Sequence, residues 1–144
     1  MGELKLAVAS NGKPLHFSVG AVISKEGKYL LLDRQRKPFG FAGIAGHVRE
    51  SETPIEAIER EIKEESNLDS VTCKILFDEE VLWNGCSYGD FVHHWYVFKI
   101  NVDGINFKLN PVRGKTMGWY TPEQLKSLNL EPAWKYWFEK LRII

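Results

Sequence analysis

Residues 46–68 carry the sequence GHVRESETPIEAIEREIKEESNL, whose second half has the spacing of an amphipathic helix. The spacing predicts a helix over residues 53–67. Pro54 is tolerated there because the first helical turn offers no partner for the backbone N–H that proline lacks. Asn67 stands where helices commonly end in the left-handed conformation, which glycine and asparagine adopt at low cost. Three apolar side chains fall on one face of this helix: Ile55, Ile58 and Ile62.

Three glutamates of the same helix, Glu61, Glu64 and Glu65, are spaced i, i+3 and i+4. At about 100° per residue their carboxylates project from one side of the helix, where like charges repel by about 0.2–0.5 kcal/mol per pair. A bound Mg²⁺ or Mn²⁺ ion would turn this repulsion into attraction, since both ions prefer carboxylate oxygen. Because Mg²⁺ often shares its coordination with substrate phosphates, the cluster indicates phosphoryl or pyrophosphoryl chemistry. Taken alone, the segment EREIKEE also fits an ordinary solvated helix face.

The full segment resembles the Nudix box. That box runs Gly, five residues, Glu, seven residues, Arg-Glu, an aliphatic residue, any residue, Glu-Glu, any residue, Gly and an aliphatic residue. Average residue usage gives odds of about 10⁻⁸ per starting position for the seven matches from Gly46 to Glu65 by chance. Asn67 replaces the final glycine, a mild departure because asparagine also tolerates positive φ. The matching positions are Gly46, Glu52, Arg60, Glu61, Ile62, Glu64, Glu65 and Leu68.

The resemblance implies an α/β/α sandwich with a mixed β-sheet, within the α/β (α+β) class, and hydrolysis of a nucleoside diphosphate linked to another group. It implies that Glu64 and Glu65 bind Mg²⁺ or Mn²⁺, together with the carbonyl of Gly46. Glu61 is implied as a further ligand or as the base that activates water. The chemistry agrees, because a metal lowers the pKa of bound water and a nearby carboxylate can accept the proton.

The resemblance further implies an ion pair between Glu52 and Arg60 that holds the loop against the helix, with Arg60 away from the substrate. Ahead of the box, family members usually carry Pro-Gly-Gly, whereas residues 44–46 are Ile-Ala-Gly. Losing the proline removes a rigid turn, and Ala45 is expected to be strained by a positive φ that glycine would adopt freely. This departure affects the expected substrate geometry more than the expected chemistry.

The rest of the chain predicts a mixed sheet with helices packed on it. Leu30, Leu31 and Leu32 in succession suit a strand that is covered on both faces. The glycine-rich residues 34–46 are expected to form a loop, and residues 84–90 a turn. The expected strands are residues 3–10, 16–24, 28–33, 71–83, 91–102 and 117–120, with further helices from residue 121 and over residues 132–141.

Substrate contacts are expected from Arg34, Phe39 and Phe41. Arg34 follows the leucine-rich strand, where relatives often place an arginine that meets substrate phosphate, although an exposed loop cation explains it equally well. The two phenylalanines, like Trp83 and Trp95, can stack on a nucleobase, but aromatic residues are more often part of the core.

Other titratable residues carry weaker expectations. His47 lies beside the expected metal-binding glycine and is expected near the substrate on position alone. His93 and His94 alternate on a strand, so one faces inward and one outward, and both are expected to be satisfied or solvated rather than catalytic. Glu79 and Glu80 offer a further metal ligand, with a solvent-facing role as the simpler interpretation.

Composition limits the class of protein and its partners. The chain has 144 residues, 44% hydrophobic and 26% charged, which suits one ordinary domain over residues 1–144. Nineteen lysines and arginines balance nineteen acidic residues, so nucleic acid and anionic membranes are not expected partners. Cys73 and Cys86 are too few for a disulfide framework, and no apolar run suits a membrane span or a secretory signal. A cytoplasmic protein with reduced thiols is expected.

The first expected substrate is a nucleoside triphosphate, because a short chain leaves little room for dedicated recognition elements. ADP-ribose or another nucleotide sugar is second, since an Ala-Gly pair before the box also occurs in some ADP-ribose-cleaving relatives. A nucleotide-binding regulatory module without turnover is an alternative, against which the three intact glutamates argue. An isomerase of prenyl diphosphates is another, although nothing around the cysteines marks a catalytic thiol. The oligomeric state, monomer or homodimer, stays open.

Overall fold

The fold is described by a computed structural model for residues 3–86 and 89–144, apart from the side chains of residues 71, 86, 89 and 90. Cys73 is a free thiol, whereas the Cys86 side chain lies outside this description. None of the helices in these ranges is both long and apolar enough to cross a bilayer. The elements in chain order are β1 (Leu6–Val8), β2 (Pro14–Lys25), β3 (Lys28–Arg34), β4 (Phe41–Ala42), β5 (Ile44–His47), α1 (Pro54–Ser66), β6 (Ser70–Cys86), β7 (Gly89–Val102), β8 (Gly114–Tyr120), α2 (Pro122–Ser127) and α3 (Pro132–Lys140).

The sheet is mixed because its central strand, β2, has neighbours of both orientations. β2 runs parallel to β7, with His16 opposite His93, and antiparallel to β5, with Val19 opposite Gly46. The order along the sheet is β4-β3-β2-β7-β6, with β1, β5 and β8 paired to its members. This topology brings β5, which leads into α1, next to the same strand that contacts β7.

Both ends of α1 are fixed by local hydrogen bonds. Thr53 and Glu56 form a capping box, in which the Thr53 hydroxyl accepts from the Glu56 N–H (3.2 Å) and the Glu56 carboxylate accepts from the Thr53 N–H (2.9 Å). Asn67 adopts φ 60° and ψ 15°, and its N–H donates to the Lys63 carbonyl. The left-handed conformation predicted for Asn67 is therefore confirmed.

The apolar stripe of α1 packs on one face of the sheet. Ile58 and Ile62 are fully buried with Val19 and Ala21 of β2, whereas Ile55 in the first turn is 48% exposed. Burying an isoleucine side chain contributes about 1.5–3 kcal/mol, so these two residues fix the helix against the sheet.

On the opposite face α2 and α3 cover the sheet, which completes the α/β/α arrangement. Trp134, Trp137 and Phe138 of α3 are buried in a second apolar cluster. The Trp134 indole lies over two glycines, since a Cβ at Gly20 would be 3.0 Å from it and a Cβ at Gly43 only 2.5 Å. Side-chain-free positions in β2 and just before β5 therefore provide the space that the indole fills.

The glycine-rich residues 34–46 do not form the continuous loop that their composition predicts. They contain β4 and β5, because distant segments satisfy their backbone groups. The Phe41 N–H donates to the Asn129 carbonyl (2.8 Å), and the Phe41 carbonyl accepts from the Glu131 N–H (2.9 Å). β6 and β7 likewise extend into the expected turn at 84–90. Local composition does not reveal partners that are so far away in sequence.

Candidate active site

A cavity of about 630 Å³ lies where α1 meets β5 and β7. The loop after β3 and the segment before β8 also border it. The lining side chains that bear on chemistry are of two kinds, acidic and basic. They include Glu61, Glu65, Arg34, Arg36, Arg49, Arg60 and Arg113.

The three glutamates of α1 differ in exposure. Glu61 and Glu65 are buried, with 3% and 4% of their surface exposed, whereas the side chain of Glu64 is 38% exposed. Glu65 Oε2 is buried and accepts no hydrogen bond from the described residues. Burial raises the pKa of Glu65 well above its usual range, and the neighbouring Glu61 carboxylate adds to the increase. An ordinary solvated helix face does not bury two carboxylates, so that interpretation is wrong for these two.

Gly46 is required by space. A Cβ at this position would lie 2.2 Å from Cδ of Glu61 and 2.4 Å from its Oε1, so β5 can approach α1 only through a glycine. Ala45 carries none of the expected strain, because it is a regular residue of β5 paired with Gly20, and its φ is not positive. The missing Pro-Gly thus leaves a regular strand in front of the box.

Arg60 makes five hydrogen bonds that join the loop, β5 and the helix, the longest of them from Nη1 to Glu64 Oε2 at 3.4 Å. Its Nε and Nη2 donate to the two carboxylate oxygens of Glu52, at 2.6 Å and 3.0 Å. Nη2 also donates to the His47 carbonyl (3.0 Å), and Nη1 donates to Glu61 (2.5 Å). The hydrogen bond from Arg60 lowers the pKa of Glu52. The expected pairing of Glu52 with Arg60 is present, and the bond to Glu61 adds a link to the acidic cluster that the sequence did not predict.

Arg113 is a site residue that sequence analysis missed. Its Nη1 donates to Glu61 Oε2 (3.0 Å), and its Nη2 lies 3.5 Å from Glu64 Oε2. The segment that carries it is held to α1 by Asn110, whose N–H and side-chain amide donate to the carbonyls of Glu65 and Glu64. No motif around residue 113 indicates this contact, because it depends on packing between segments about 50 residues apart. The guanidinium places positive charge among the carboxylates.

The donor set fits a hard divalent cation. Two buried carboxylates and the rim carboxylate of Glu64 offer oxygen ligands. Glu65 Oε2 accepts no hydrogen bond from the described residues, and the Arg113 guanidinium, 4.0 Å away, is too far to donate one. Because Gly46 has no side chain, its backbone lies directly against the Glu61 carboxylate. Carboxylate and carbonyl oxygens are the preferred ligands of Mg²⁺ and Mn²⁺.

Of the three residues that are expected to contact the substrate, only one lines the cavity. Arg34 lines the cavity, and its Nε donates to the Pro38 carbonyl (2.7 Å), which orders the loop after β3. Phe39 is 51% exposed beneath Lys115, and Phe41 packs edge-to-face on Tyr120, so neither lines the cavity. Of the two tryptophans that were candidates for stacking, Trp95 lines the cavity, and Trp83, half exposed, does not.

His93 and His94 lie on opposite faces of β7, as the alternation of side chains along a strand predicts. His93 is 7% exposed and lies 3.3 Å from His47, Nε2 to Nε2, at the cavity wall. His94 faces the other way and contacts Asp78 (2.5 Å). His16 of β2 joins the first two, and the side-chain nitrogens of the three lie within 4.8 Å of one another. No sequence motif combines residues 16, 47 and 93.

Glu79 and Glu80, considered as extra metal ligands, lie outside the lining of the cavity. Glu79 accepts hydrogen bonds from Tyr136 and Lys140, and Glu80 accepts from Ser10. Both are engaged in contacts elsewhere on the surface.

A family model described as NUDIX domain matches residues 14–141. The chain belongs to the NUDIX family. The NUDIX resemblance and the expected mixed α+β fold are thereby confirmed, and the enzyme class follows: a hydrolase of phosphoric anhydride bonds.

Solved structures of similar fold include the MutT protein from Methanosarcina mazei Go1, 24% identical over 91% of this chain and 94% of that chain, with a TM-score of 0.73. The MutT NUDIX hydrolase from Burkholderia pseudomallei is 23% identical over 87% of this chain and 96% of that chain, with a TM-score of 0.71. A UDP-X diphosphatase is 21% identical over 86% of this chain and 56% of that chain, with a TM-score of 0.67. No curated protein matches the sequence significantly.

Proposed function

We propose that the protein is a Mg²⁺- or Mn²⁺-dependent pyrophosphohydrolase that splits a nucleoside diphosphate linkage, with a nucleoside triphosphate as its first substrate class. The observation that carries the proposal is the pair of buried carboxylates, Glu61 and Glu65, at the wall of a cavity that also has basic side chains. Burying two carboxylates side by side is unfavourable. Arg60 and Arg113 donate to Glu61, whereas Glu65 Oε2 accepts no hydrogen bond from the described residues, so the arrangement favours a function that supplies a further cation.

Glu61, Glu64 and Glu65, with the carbonyl of Gly46, would hold the metal. When bound, it supplies positive charge to the phosphate oxygens and acidity to a bound water. A carboxylate of this cluster can accept a proton from water, and Glu61 is the group that we assign to this role. Arg60 orients the Glu61 carboxylate, and Glu52 in turn orients Arg60.

Basic side chains of the cavity would bind the polyphosphate. Arg34, Arg36, Lys37 and Arg49 all line it. Arginine binds phosphate through paired N–H donors, and a triphosphate offers more anionic oxygens than a single ester does. A cationic lining of this extent supports a polyphosphate substrate.

The proposal also covers the extent of the domain, its partners and its location. We take residues 1–144 as one domain that acts on a small-molecule nucleotide in the cytoplasm, as a monomer or a homodimer. The balanced charge of the chain supports a partner other than nucleic acid or an anionic membrane surface.

A substrate panel tests the proposal. Nucleoside triphosphates, ADP-ribose and other nucleotide sugars are incubated with Mg²⁺ or Mn²⁺, and phosphate, pyrophosphate and nucleotide products are scored. We expect hydrolysis that EDTA abolishes, with triphosphates cleaved fastest. If a nucleotide sugar is cleaved faster, the proposed substrate class is wrong, whereas the proposed metal-dependent hydrolysis still holds.

Thermal unfolding separates metal binding from turnover. A cation at one hundred times its Kd stabilises the folded protein by about 2.7 kcal/mol. Glu64→Gln and Glu65→Gln should each reduce this metal-induced stabilisation and lower kcat by several orders of magnitude. Glu61→Gln should also lose turnover, but it keeps more of the stabilisation if Glu61 acts mainly as the base. The matched control is Glu59→Gln, an exposed glutamate on the same helix that should leave both quantities unchanged. Hydrolysis that persists in EDTA, or a Glu64→Gln/Glu65→Gln double variant with full turnover, would contradict the proposal.

A further inference from the structure

We propose that His16, His47 and His93 form a second cation site, selective for Zn²⁺ and similar nitrogen-binding metals, in the wall of the same cavity. This site uses a donor set separate from the acidic cluster of α1. It therefore goes beyond the proposed hydrolysis and can be tested without it.

The three histidines come from three adjacent strands. His16 on β2 lies directly opposite His93 on β7, and His47 on β5 lies opposite Ser18, two residues farther along β2. Because side chains alternate along a strand, residues 16 and 18 share a face of the sheet, which places all three rings on one side. His16 and His93 are buried and His47 is partly buried. The rigid sheet thus holds the three rings together without any contribution from a loop.

Hydrogen bonds determine which nitrogen of His93 is available. Its Nδ1 lies 3.1 Å from the Asn84 carbonyl and 2.9 Å from Asn84 Oδ1. That side-chain atom must be the oxygen, because the Trp95 indole N–H, which can only donate, points to it at 2.9 Å. Both partners of Nδ1 are therefore acceptors, so Nδ1 carries the proton and Nε2 presents a lone pair. A histidine that donates one ring N–H to a carbonyl while offering the other nitrogen has the usual arrangement of a metal ligand.

The spacing of the nitrogens agrees with a tetrahedral ion. With Zn–N distances of about 2.0–2.1 Å and a tetrahedral angle, two ligand nitrogens lie about 3.3–3.4 Å apart. His93 Nε2 lies 3.3 Å from His47 Nε2. A ring nitrogen of His16 lies within 4.8 Å of the ligand nitrogens of the other two rings, so the ion would have to draw this ring closer to complete the set. The same short distance also fits a hydrogen bond between two neutral rings, and the experiment below distinguishes the two.

The surroundings favour neutral rings. Burial lowers the pKa of His93 to about 4, so this ring is uncharged at neutral pH. Neutral imidazole is the form that binds metal, and it prefers zinc, cobalt, nickel and copper to magnesium. His47 and His93 line the cavity, which leaves room for water or a phosphate oxygen at the remaining position of the ion. Three histidines with one open position form a recurrent zinc arrangement.

The direct test is ¹⁵N NMR of the wild-type protein with ¹⁵N-labelled histidine, after removal of metals with EDTA. We expect one equivalent of Zn²⁺ to shift Nε2 of His47 and His93 and one ring nitrogen of His16, while the nitrogens of His94 stay in place. A large excess of Mg²⁺ should leave all four rings unshifted. Absence of the three shifts, or shifts confined to His94, would overturn the proposal and leave the 3.3 Å contact as a hydrogen bond.

Calorimetric titration with Zn²⁺ provides the second test. His93→Gln should weaken Zn²⁺ binding at least 100-fold, whereas His94→Gln, the neighbouring residue on the same strand, should leave it unchanged. A Glu61→Gln/Glu65→Gln double variant should keep the zinc affinity and lose Mg²⁺ binding, so failure of one site is distinguishable from failure of the other. If the double variant loses Zn²⁺ as well, the ion binds the carboxylates and the histidine site is refuted. Should His93→Gln not fold, the NMR experiment on the wild type decides.

Discussion

Replacing Arg60 with alanine removes the group that connects the loop, the helix and the acidic cluster. Its guanidinium donates to both oxygens of Glu52, to Glu61 and to the His47 carbonyl. The side chains of Arg60 and Glu52 are 17% and 15% exposed, and that of Glu61 is 4% exposed. The variant therefore leaves two carboxylates largely shielded from water and without their main positive partner.

Removing one partner of a fully buried pair destabilises a protein by about 3–5 kcal/mol. Here water reaches part of the Arg60–Glu52 pair, and Arg113 still contacts Glu61, so we expect the lower end, about 3 kcal/mol. For a chain of this length that corresponds to a fall in Tm of about 10 °C. Hydrolysis should fall too, because the loop and Glu61 lose their common anchor.

The assay is thermal and urea unfolding in EDTA, so that metal binding does not contribute. Arg49→Ala is the matched control, since Arg49 lies on the same loop and its Nη2 is 4.0 Å from Glu64 in a partly exposed pair. Exposed pairs contribute about 0–1 kcal/mol, so that variant should stay close to wild type. A double-mutant cycle with Glu52→Gln should give a coupling energy of about 1–3 kcal/mol. Equal melting temperatures for Arg60→Ala and Arg49→Ala would refute the anchoring role.

Three further predictions concern single positions around the box. Asn67→Gly should be neutral or slightly stabilising in urea unfolding, and Asn67→Val should lose about 1 kcal/mol or more, because a β-branched residue resists the positive φ observed there; equal stability of the two variants would contradict this. Gly46→Ala should weaken Mn²⁺ binding, measured by calorimetry, and lower the free energy of unfolding by about 1–3 kcal/mol, because the new Cβ displaces the Glu61 carboxylate. The control is Gly85→Ala, since a Cβ at that position meets nothing within 4 Å. Arg113→Gln should tighten Mn²⁺ binding about tenfold, or about 1.4 kcal/mol, because the guanidinium then no longer competes with the metal for the Glu61 carboxylate. Weaker binding would contradict this and would mean that Arg113 supports the metal site.

The parts of the structure that were predictable from sequence depend on neighbours along the chain. The limits of α1 follow from a capping residue, a proline and an asparagine within one segment, and the structure has the helix at Pro54–Ser66. The periodicity of the helix also places Glu61 and Glu65 together, because side chains four residues apart project from the same side. The resemblance to the Nudix box predicts that Gly46 lies next to these glutamates, and in the structure Gly46 lies against Glu61.

The parts that were not predictable depend on contacts between distant segments. Arg113 reaches Glu61 across 52 residues of sequence, and nothing near it distinguishes it from a surface cation. His16 joins His47 and His93 only because β2 lies between β5 and β7, a topology that no local pattern specifies. For Phe39 the residue type allows a stacking role, but sequence does not reveal that the ring is half exposed and lies outside the lining of the cavity.

The packing of Trp134 over Gly20 and Gly43 has a consequence for how this sequence can change with time. A side chain at residue 43 needs the volume that the indole occupies, and its Cβ would also lie 2.9 Å from the Ala21 carbonyl oxygen. Alanine there therefore requires a smaller residue at position 134 together with a small shift of the backbone. Replacing a buried tryptophan with a small residue leaves a cavity and loses about 3–5 kcal/mol, so the permissive first step is itself selected against. The three positions are therefore expected to be inherited together, and a mutational library built on this scaffold should vary them jointly. Since Trp134 also lines the cavity, such a joint change is a route by which drift in the core can alter which substrates enter.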